Sequence, residues 1–398
     1  MSSQRASINK KLKVAAFLCL HILIVGAVIG WAAVRYQDWE RAKELPALRL
    51  NPLTVKPQYD RPEIVSDADL GKVLSRLRPQ FRGKQPRINY VDHALRFWGL
   101  EAVFDDPKSL SGIEMRDILL DHRRFGQVWG DKTRPLLVRN QNGLRARVQE
   151  GLETSSHEDH TLATLAEVGT PVDYPIVLAQ GETTLAEMIQ ESLKSFSLNQ
   201  VEYEWSALVF ALFLDHPQSW VTSEGQRINF DVISDRIMRQ KPTQGVCYGN
   251  HRLHALVMIL RVDEQTPILS DAGRKKVIDY LKSITDRLVK SQSPEGFWDK
   301  NWDGTKLDLS TEQKFTPRAR RVLATGHAME WWALAPAEVL PPAETLEKAG
   351  KWLVETIEKM PETEIKNSFT FLSHAGRALA LWRGKFPAQV ALPPLTKD

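Results

Sequence analysis

The chain has 398 residues, 42% of them hydrophobic, with 53 basic and 49 acidic side chains interspersed to a formal net charge of +4. That size and composition can bury a sizeable core. The lack of a basic stripe argues against nucleic acid as a partner, and the two cysteines, Cys19 and Cys247, argue against a disulfide framework.

The first element is the strongest local signal. Val14 to Val34 reads VAAFLCLHILIVGAVIGWAAV, 21 uncharged residues and enough for a helix to cross the hydrocarbon. Arg5, Lys10, Lys11 and Lys13 precede it with no acid, whereas Arg35, Arg41 and Lys43 are offset by Asp38, Glu40 and Glu44. This asymmetry predicts a cytoplasmic N-terminus (1–13), a transmembrane helix (14–34) and a domain in the periplasm or an equivalent extracytoplasmic space. A cleaved signal peptide fits less well, because the run exceeds a usual h-region and its small-residue cleavage signal is poor. A lipoprotein site at Cys19 is disfavoured by Phe17 and Leu18 before it. His21 reads as a tolerated polar residue within the span.

Residues 35–62 are rich in proline and charge and read as a linker lifting the domain off the membrane. The chain is then mostly helical. The exception is PLLVRNQNGLRARV (135–148), two short β-type runs around Asn-Gly, which predicts a hairpin. Residues 63–182 form an N-terminal helical part. Residues 183–386 follow a regular pattern and are expected to share one domain with it, and 387–398 form a tail.

Helices are predicted at 183–196, 201–214, 228–240, 247–262, 270–291, 318–334, 343–359 and 369–383, punctuated by Pro, Gly and Ser. Their character alternates. WSALVFALFL (205–214), LHALVMILRV (253–262) and AMEWWALAP (328–336) are apolar nearly all round, whereas RKKVIDYLKSITDRLVK (274–290) and ETLEKAGKWLVETIEKM (344–360) are amphipathic. Buried helices inside a ring of amphipathic ones describe an all-α fold of the α/α toroid type, an antiparallel helix-pair barrel. An irregular bundle or solenoid has similar periodicity and is the alternative.

Histidines recur on the apolar helices. Cys247, His251 and His254 fall at i, i+4 and i+7 on one face; His327 with Glu330, and His374 with Arg377, repeat the placement. His157, Asp159 and His160 sit in SSHEDHTLATLAEVG, read as one helix with both imidazoles on a face. Glu202 and Glu204 begin another helix, and His216 at its far end suits a C-terminal cap. In a ring the inner helices are parallel, so His251, His327 and His374 are expected to converge at one mouth, with His254, Cys247, Glu330, Glu202 and Glu204 nearby. The bland alternative has each histidine satisfied within its own helix pair.

Three short motifs resemble known families. Gln292, Gly296 and Trp298 in LVKSQSPEGFWDKNW (288–302) resemble the Gln–x–x–x–Gly–x–Trp repeat of terpenoid cyclases and related toroids, which implies a structural turn. Gly245 to Tyr248 is similar to the zinc-cysteine turn of protein prenyltransferases, and Cys247-Tyr248-Gly249 resembles lanthionine cyclases. That likeness implies zinc held by Cys247 with His251, His327 or His374, although Gly245 stands where the prenyltransferases carry an acid. Gly326-His327-x-x-Glu330-Trp331 resembles the N-acylglucosamine 2-epimerase group, an (α/α)6 barrel in which the histidine transfers a proton. Carried over, His327 is the acid/base beside Glu330. His254 stands where that group's second motif has glutamate.

Three functions compete. One is an extracytoplasmic enzyme acting by histidine acid–base chemistry on a carbohydrate or envelope metabolite, with Trp205, Trp331 and Trp332 to stack on sugar rings. The second is a zinc-dependent transferase or cyclase-like enzyme using Cys247. The third is a non-catalytic tethered binding scaffold.

Overall fold

A computed structural model describes residues 2–41, 44–215, 219–222, 224–305 and 315–393. It opens with α1 (Ser2–Arg41), within which Lys13–Gln37 is long and apolar enough to cross a membrane; none of that segment is buried. His216 lies outside the described residues.

The rest is mostly helical. α2 (Asp67–Arg76), α3 (Ile88–Trp98), α4 (Gly112–Leu120) and α5 (His122–Trp129) come first. The antiparallel strands β1 (Leu137–Arg139) and β2 (Leu144–Ala146) follow, pairing across Asn142-Gly143 as expected. Next are α6 (His160–Glu167), a second hairpin of β3 (Pro175–Val177) and β4 (Glu182–Thr184), α7 (Leu185–Ser195) and α8 (Glu204–Phe213). A third hairpin, β5 (Trp220–Val221) with β6 (Arg227–Ile228), precedes α9 (Phe230–Met238), α10 (Asn250–Gln265) and α11 (Asp271–Ser291). α12 (Pro317–Leu334), α13 (Ala343–Glu358), α14 (Glu362–Asn367) and α15 (Phe369–Leu381) complete the chain.

Local signals set many of these boundaries. Ser66, Asn229, Ser270 and Thr316 each accept a backbone N–H two or three residues into the helix they begin, and Ser111 with Glu114 forms a full capping box at α4. Pro317 occupies the first position of α12, where its missing N–H costs nothing.

Burial follows the character of each helix. Every residue of α8 is buried, as is every residue of α12 from Val322 to Leu334. α11 buries one stripe, Val277, Leu281, Ile284, Thr285 and Leu288, spaced as a single helical face. The buried helices contact one another in series: α3 packs on α6, α6 on α8, α8 on α10, α10 on α12, α12 on α15, and α15 back on α3. α2, α4, α7, α9, α11 and α13 pack against them from outside.

Small residues bring α12 and α15 closest. A Cβ on Gly326 would stand 3.0 Å from the Ala375 backbone, and one on Gly376 would stand 2.7 Å from the Phe97 ring. Gly326 thus lets α12 approach α15, which brings His327 beside His374, and Gly376 lets α15 approach α3.

The proline-rich segment does not lift the domain away as a linker would. Residues 47–61 lie along the domain, bonded to the last turns of the buried helices. Proline and charge predict a segment without helix, and they say nothing of which carbonyls its backbone N–H groups will find.

The Gln292–Trp298 motif is a structural turn. Gln292 Nε2 donates to Gly296 O and Thr345 O at 3.0 and 2.9 Å, and Trp298 Nε1 donates to Leu288 O at 2.8 Å. Gly296 has φ 102°, and a Cβ there would meet Lys348 O at 2.4 Å, so glycine is required. Trp298 is 1% exposed and fills a site between α11 and α12, its ring against Trp332. Trp298→Ala is expected to lower unfolding free energy by about 3 kcal/mol, read from urea melts. Unchanged stability would show that the ring does not hold this junction together.

Candidate functional site

His251, the second residue of α10, His327 on α12 and His374 on α15 meet at one end of the buried helices. Ring centroids are 4.7 Å apart for His251–His327, 3.7 Å for His327–His374 and 5.3 Å for His251–His374. His327 lies nearly three turns into α12, deeper along its helix than its neighbours, because α12 begins at Pro317. His93 and His160 extend the group: the His93 ring centroid is 5.2 Å from that of His374 and 4.8 Å from that of His160. The Trp205 ring closes it, 4.3 Å from His251.

One turn deeper is a layer of charge. Arg96 Nη1 donates to Glu330 Oε1 at 2.8 Å, and its Nε and Nη2 reach both oxygens of Glu167. Arg377 donates to the same two carboxylates. All four side chains are buried, and two guanidiniums with two carboxylates sum to zero, which makes their burial tolerable. Burial alone would raise the Glu330 carboxyl; Arg96, His374 and Arg377 overcome it and hold the group well below its usual range.

These deeper contacts correct several expectations. Glu330 is saturated by two arginines and His374, so it is no free partner for acid–base work at His327. His254 lies below the mouth, its Nε2 2.9 Å from Arg96 Nη2 and 3.1 Å from Glu167 Oε1. α6 begins only at His160, with Asp159 in the left-handed region at φ 53°, so His157 and His160 do not share a helical face. Asp159 instead accepts hydroxyls from Ser192 and Ser206. Glu202 lies outside α8, 2.6 Å from His157 Nδ1, and Glu204 is buried with Oε2 accepting from Tyr203 N.

The upper layer presents lone pairs. His327 Nδ1–H donates to Leu323 O at 2.7 Å, which leaves Nε2 unprotonated and 3.4 Å from His251 Nε2. His374 Nδ1–H donates to Glu330 Oε2 at 2.6 Å, since an ionised carboxylate can only accept. Its Nε2 is buried without a hydrogen-bond partner among the described residues. Burial first, and then neighbouring positive charge, holds His93, His160, His251 and His327 well below the ordinary imidazole value, with His374 lowered to about 3. The cluster is therefore neutral at pH 7.

Cys247 completes a triangle. Its sulfur and one nitrogen each of His251 and His327 all lie within 4.8 Å of one another. The thiol is presented by a tight turn, Val246–Gly249, in which Cys247 and Tyr248 both take left-handed angles, φ 49° and 57°. Non-glycine residues rarely hold that conformation, and such strain clusters at functional sites. Gly249 makes the turn fit, because a Cβ there would stand 1.9 Å from Pro242 O. Burial first, and then Glu202, Glu204 and Glu330, pushes the thiol well up, so it keeps its proton until a cation arrives.

The donor set fits a transition-metal ion. Two ligand nitrogens of a tetrahedral zinc with bonds of about 2.0–2.1 Å stand ~3.3 Å apart, close to the separation of the His251 and His327 Nε2 atoms. One thiol and two imidazoles are borderline-soft donors suited to zinc rather than magnesium or calcium. A cavity of about 480 Å³ opens over Cys247 and His251, with His374 also in its lining and His327 behind them, and is bordered by Asn89, Tyr90, Tyr248, Asn367 and Phe371. Comparison with models of protein families, with curated protein sequences and with solved structures returned no match for this chain.

Proposed function

We propose that the chain is a membrane-anchored zinc enzyme of the α/α toroid type, its catalytic mouth lined by histidine. Support for the toroid is the series of buried helices α3, α6, α8, α10, α12 and α15, which closes on itself inside a layer of amphipathic ones. The anchor reading rests on the uncharged run within α1, and its basic N-terminal flank supports a domain outside the cytoplasm.

The observation that carries the zinc reading is the triangle of Cys247, His251 and His327 beneath a cavity. Three protein donors with space above them is the arrangement of a catalytic metal, which keeps a position for water or substrate. Bound there, zinc would supply Lewis-acid polarisation and an acidified water. The chain's own contribution is to hold the donors neutral and oriented. His374, with its Nδ1 proton fixed on Glu330, offers Nε2 as a base or fourth donor beside His327. The amides of Asn89 and Asn367 and the rings of Tyr90 and Tyr248 suit a small sugar-like or polar envelope metabolite. This reading favours the metal over acid–base catalysis by a His327–Glu330 pair, since Glu330 is fully engaged below.

The test is elemental analysis of the untagged full chain in detergent, after chelation and zinc loading. One zinc per chain is expected. A chain that takes up neither zinc nor cobalt would sink the metal reading. Glycan binding without metal would restore the acid–base alternative, and neither would leave a tethered scaffold.

A further inference from the structure

The segment between α1 and α2 shows which way the mouth faces. Arg49 N and Leu53 N donate to Phe213 O and Leu212 O in the last turn of α8, at 2.8 and 3.0 Å. Arg49 Nη2 reaches the hydroxyl of Thr266, which ends α10, and Gln265 Nε2 donates back to Thr54 O. Gln58 Nε2 and Tyr59 OH donate to Leu334 O and Ala335 O, where α12 ends, and Arg61 N donates to Trp382 O, where α15 ends. One stretch of backbone thus crosses the C-terminal ends of four buried helices and satisfies carbonyls that have no partner within their own helix.

The cavity is at the other end of the same helices. Trp205 and His251 are the second residues of α8 and α10, and Thr370 is the second of α15; all three line it. Along α10 alone, His251 to Gln265 spans about 21 Å at the helical rise of 1.5 Å per residue. α1 connects to the domain through this strap, at the closed end.

We infer that the mouth opens away from the bilayer and takes a small water-soluble substrate from the surrounding compartment, not a lipid from the membrane that anchors the chain. This rests on the proposed reading of α1 as an anchor and of the cavity as a substrate site. The lining agrees with it. Asn89, Ser156, Asn367 and Thr370 present amide and hydroxyl groups, and histidines form the floor.

The test places a fluorophore at each end of the full chain in liposomes. p-Azidophenylalanine replaces exposed Lys56 on the strap or exposed Asn367 at the rim and is coupled to one dye. Lipids carrying a nitroxide on the headgroup then quench whichever dye lies near the bilayer surface. Quenching several-fold stronger at position 56 than at 367 is the expected result. Equal quenching, or stronger quenching at 367, overturns the inference, because the mouth would then lie on or face the lipid. The measurement is made on chelated and on zinc-loaded protein. It needs no metal, so the orientation and the zinc centre can fail separately: normal zinc uptake with reversed quenching removes the orientation alone.

Discussion

Replacing Cys247 by serine, or His327 by asparagine, is expected to weaken zinc binding a hundred-fold or more while leaving the chain folded. Structural zinc sites bind with roughly 10–16 kcal/mol spread over four ligands, so one donor contributes about 3 kcal/mol. That is more than two orders of magnitude in the dissociation constant. The two variants differ in a second readout. With cobalt in place of zinc, the thiolate charge-transfer band should vanish in Cys247→Ser and persist, shifted, in His327→Asn. Cys19→Ser removes the other cysteine, which lies in α1 and away from the donors, and should change neither stoichiometry nor spectrum. If Cys247→Ser binds zinc as tightly as the parent, the triangle is a packing feature and the strained turn presenting the thiol needs another explanation.

Much of the helical order was legible because burial leaves a compositional trace. Helices buried all round, such as α8 and α12, admit no charged face, and α11 and α13 betray one apolar stripe each. The meeting of His251, His327 and His374 was expected from placing each near the start of such a helix; that placement holds for His251, whereas His327 lies nearly three turns in because α12 begins at Pro317. The deeper charge layer was not read, although a signal for part of it was present. His93 and Arg96, His251 and His254, His327 and Glu330, and His374 and Arg377 all stand three apart on helices that line one space. That spacing stacks one residue a turn below the other on the same face. α3 escaped although its apolar positions recur at helical spacing, because residues 63–182 read as one undivided helical part, and Asp92, His93 and Arg96 were overlooked with it. Glu167 escaped although it stands in the same segment, two turns beyond His160, because a lone carboxylate near a helix end reads as solvated. The strap was illegible for a different reason. The backbone N–H groups of Arg49, Leu53 and Arg61 and the side chains of Gln58 and Tyr59 make its contacts, and their partners are helix-end carbonyls that no side-chain pattern marks.

Acidification from pH 7.5 to 5.5 is expected to destabilise the metal-free chain by a few kcal/mol. Five imidazoles, those of His93, His160, His251, His327 and His374, are held below their ordinary value by burial. In the unfolded chain they titrate near 6.5, so below that pH the unfolded state carries more protons than the folded one. Stability from these groups is therefore complete above about pH 6.5 and falls as pH drops, by up to about 1.4 kcal/mol per unit for each imidazole. Over this interval the five together lose about 7 kcal/mol. Three carboxyls oppose them in part. Burial pushes Asp92 up to about 7, Asp159 up to about 6 and Glu204 above its ordinary value, so these groups take up protons in the folded state first and gain stability as pH falls. Their combined gain is about 3 kcal/mol or somewhat more, which leaves a net loss of a few kcal/mol. Glu167 and Glu330 stay ionised in both states across most of this range and contribute little until the pH is lower still. A loss of that size is a large part of the 5–15 kcal/mol that usually separates folded from unfolded. Urea unfolding at the two pH values, followed by circular dichroism, measures it directly. Equal stability, or a more stable chain at pH 5.5, would mean that the imidazoles already exchange protons with solvent and that the mouth is wetter than its packing implies.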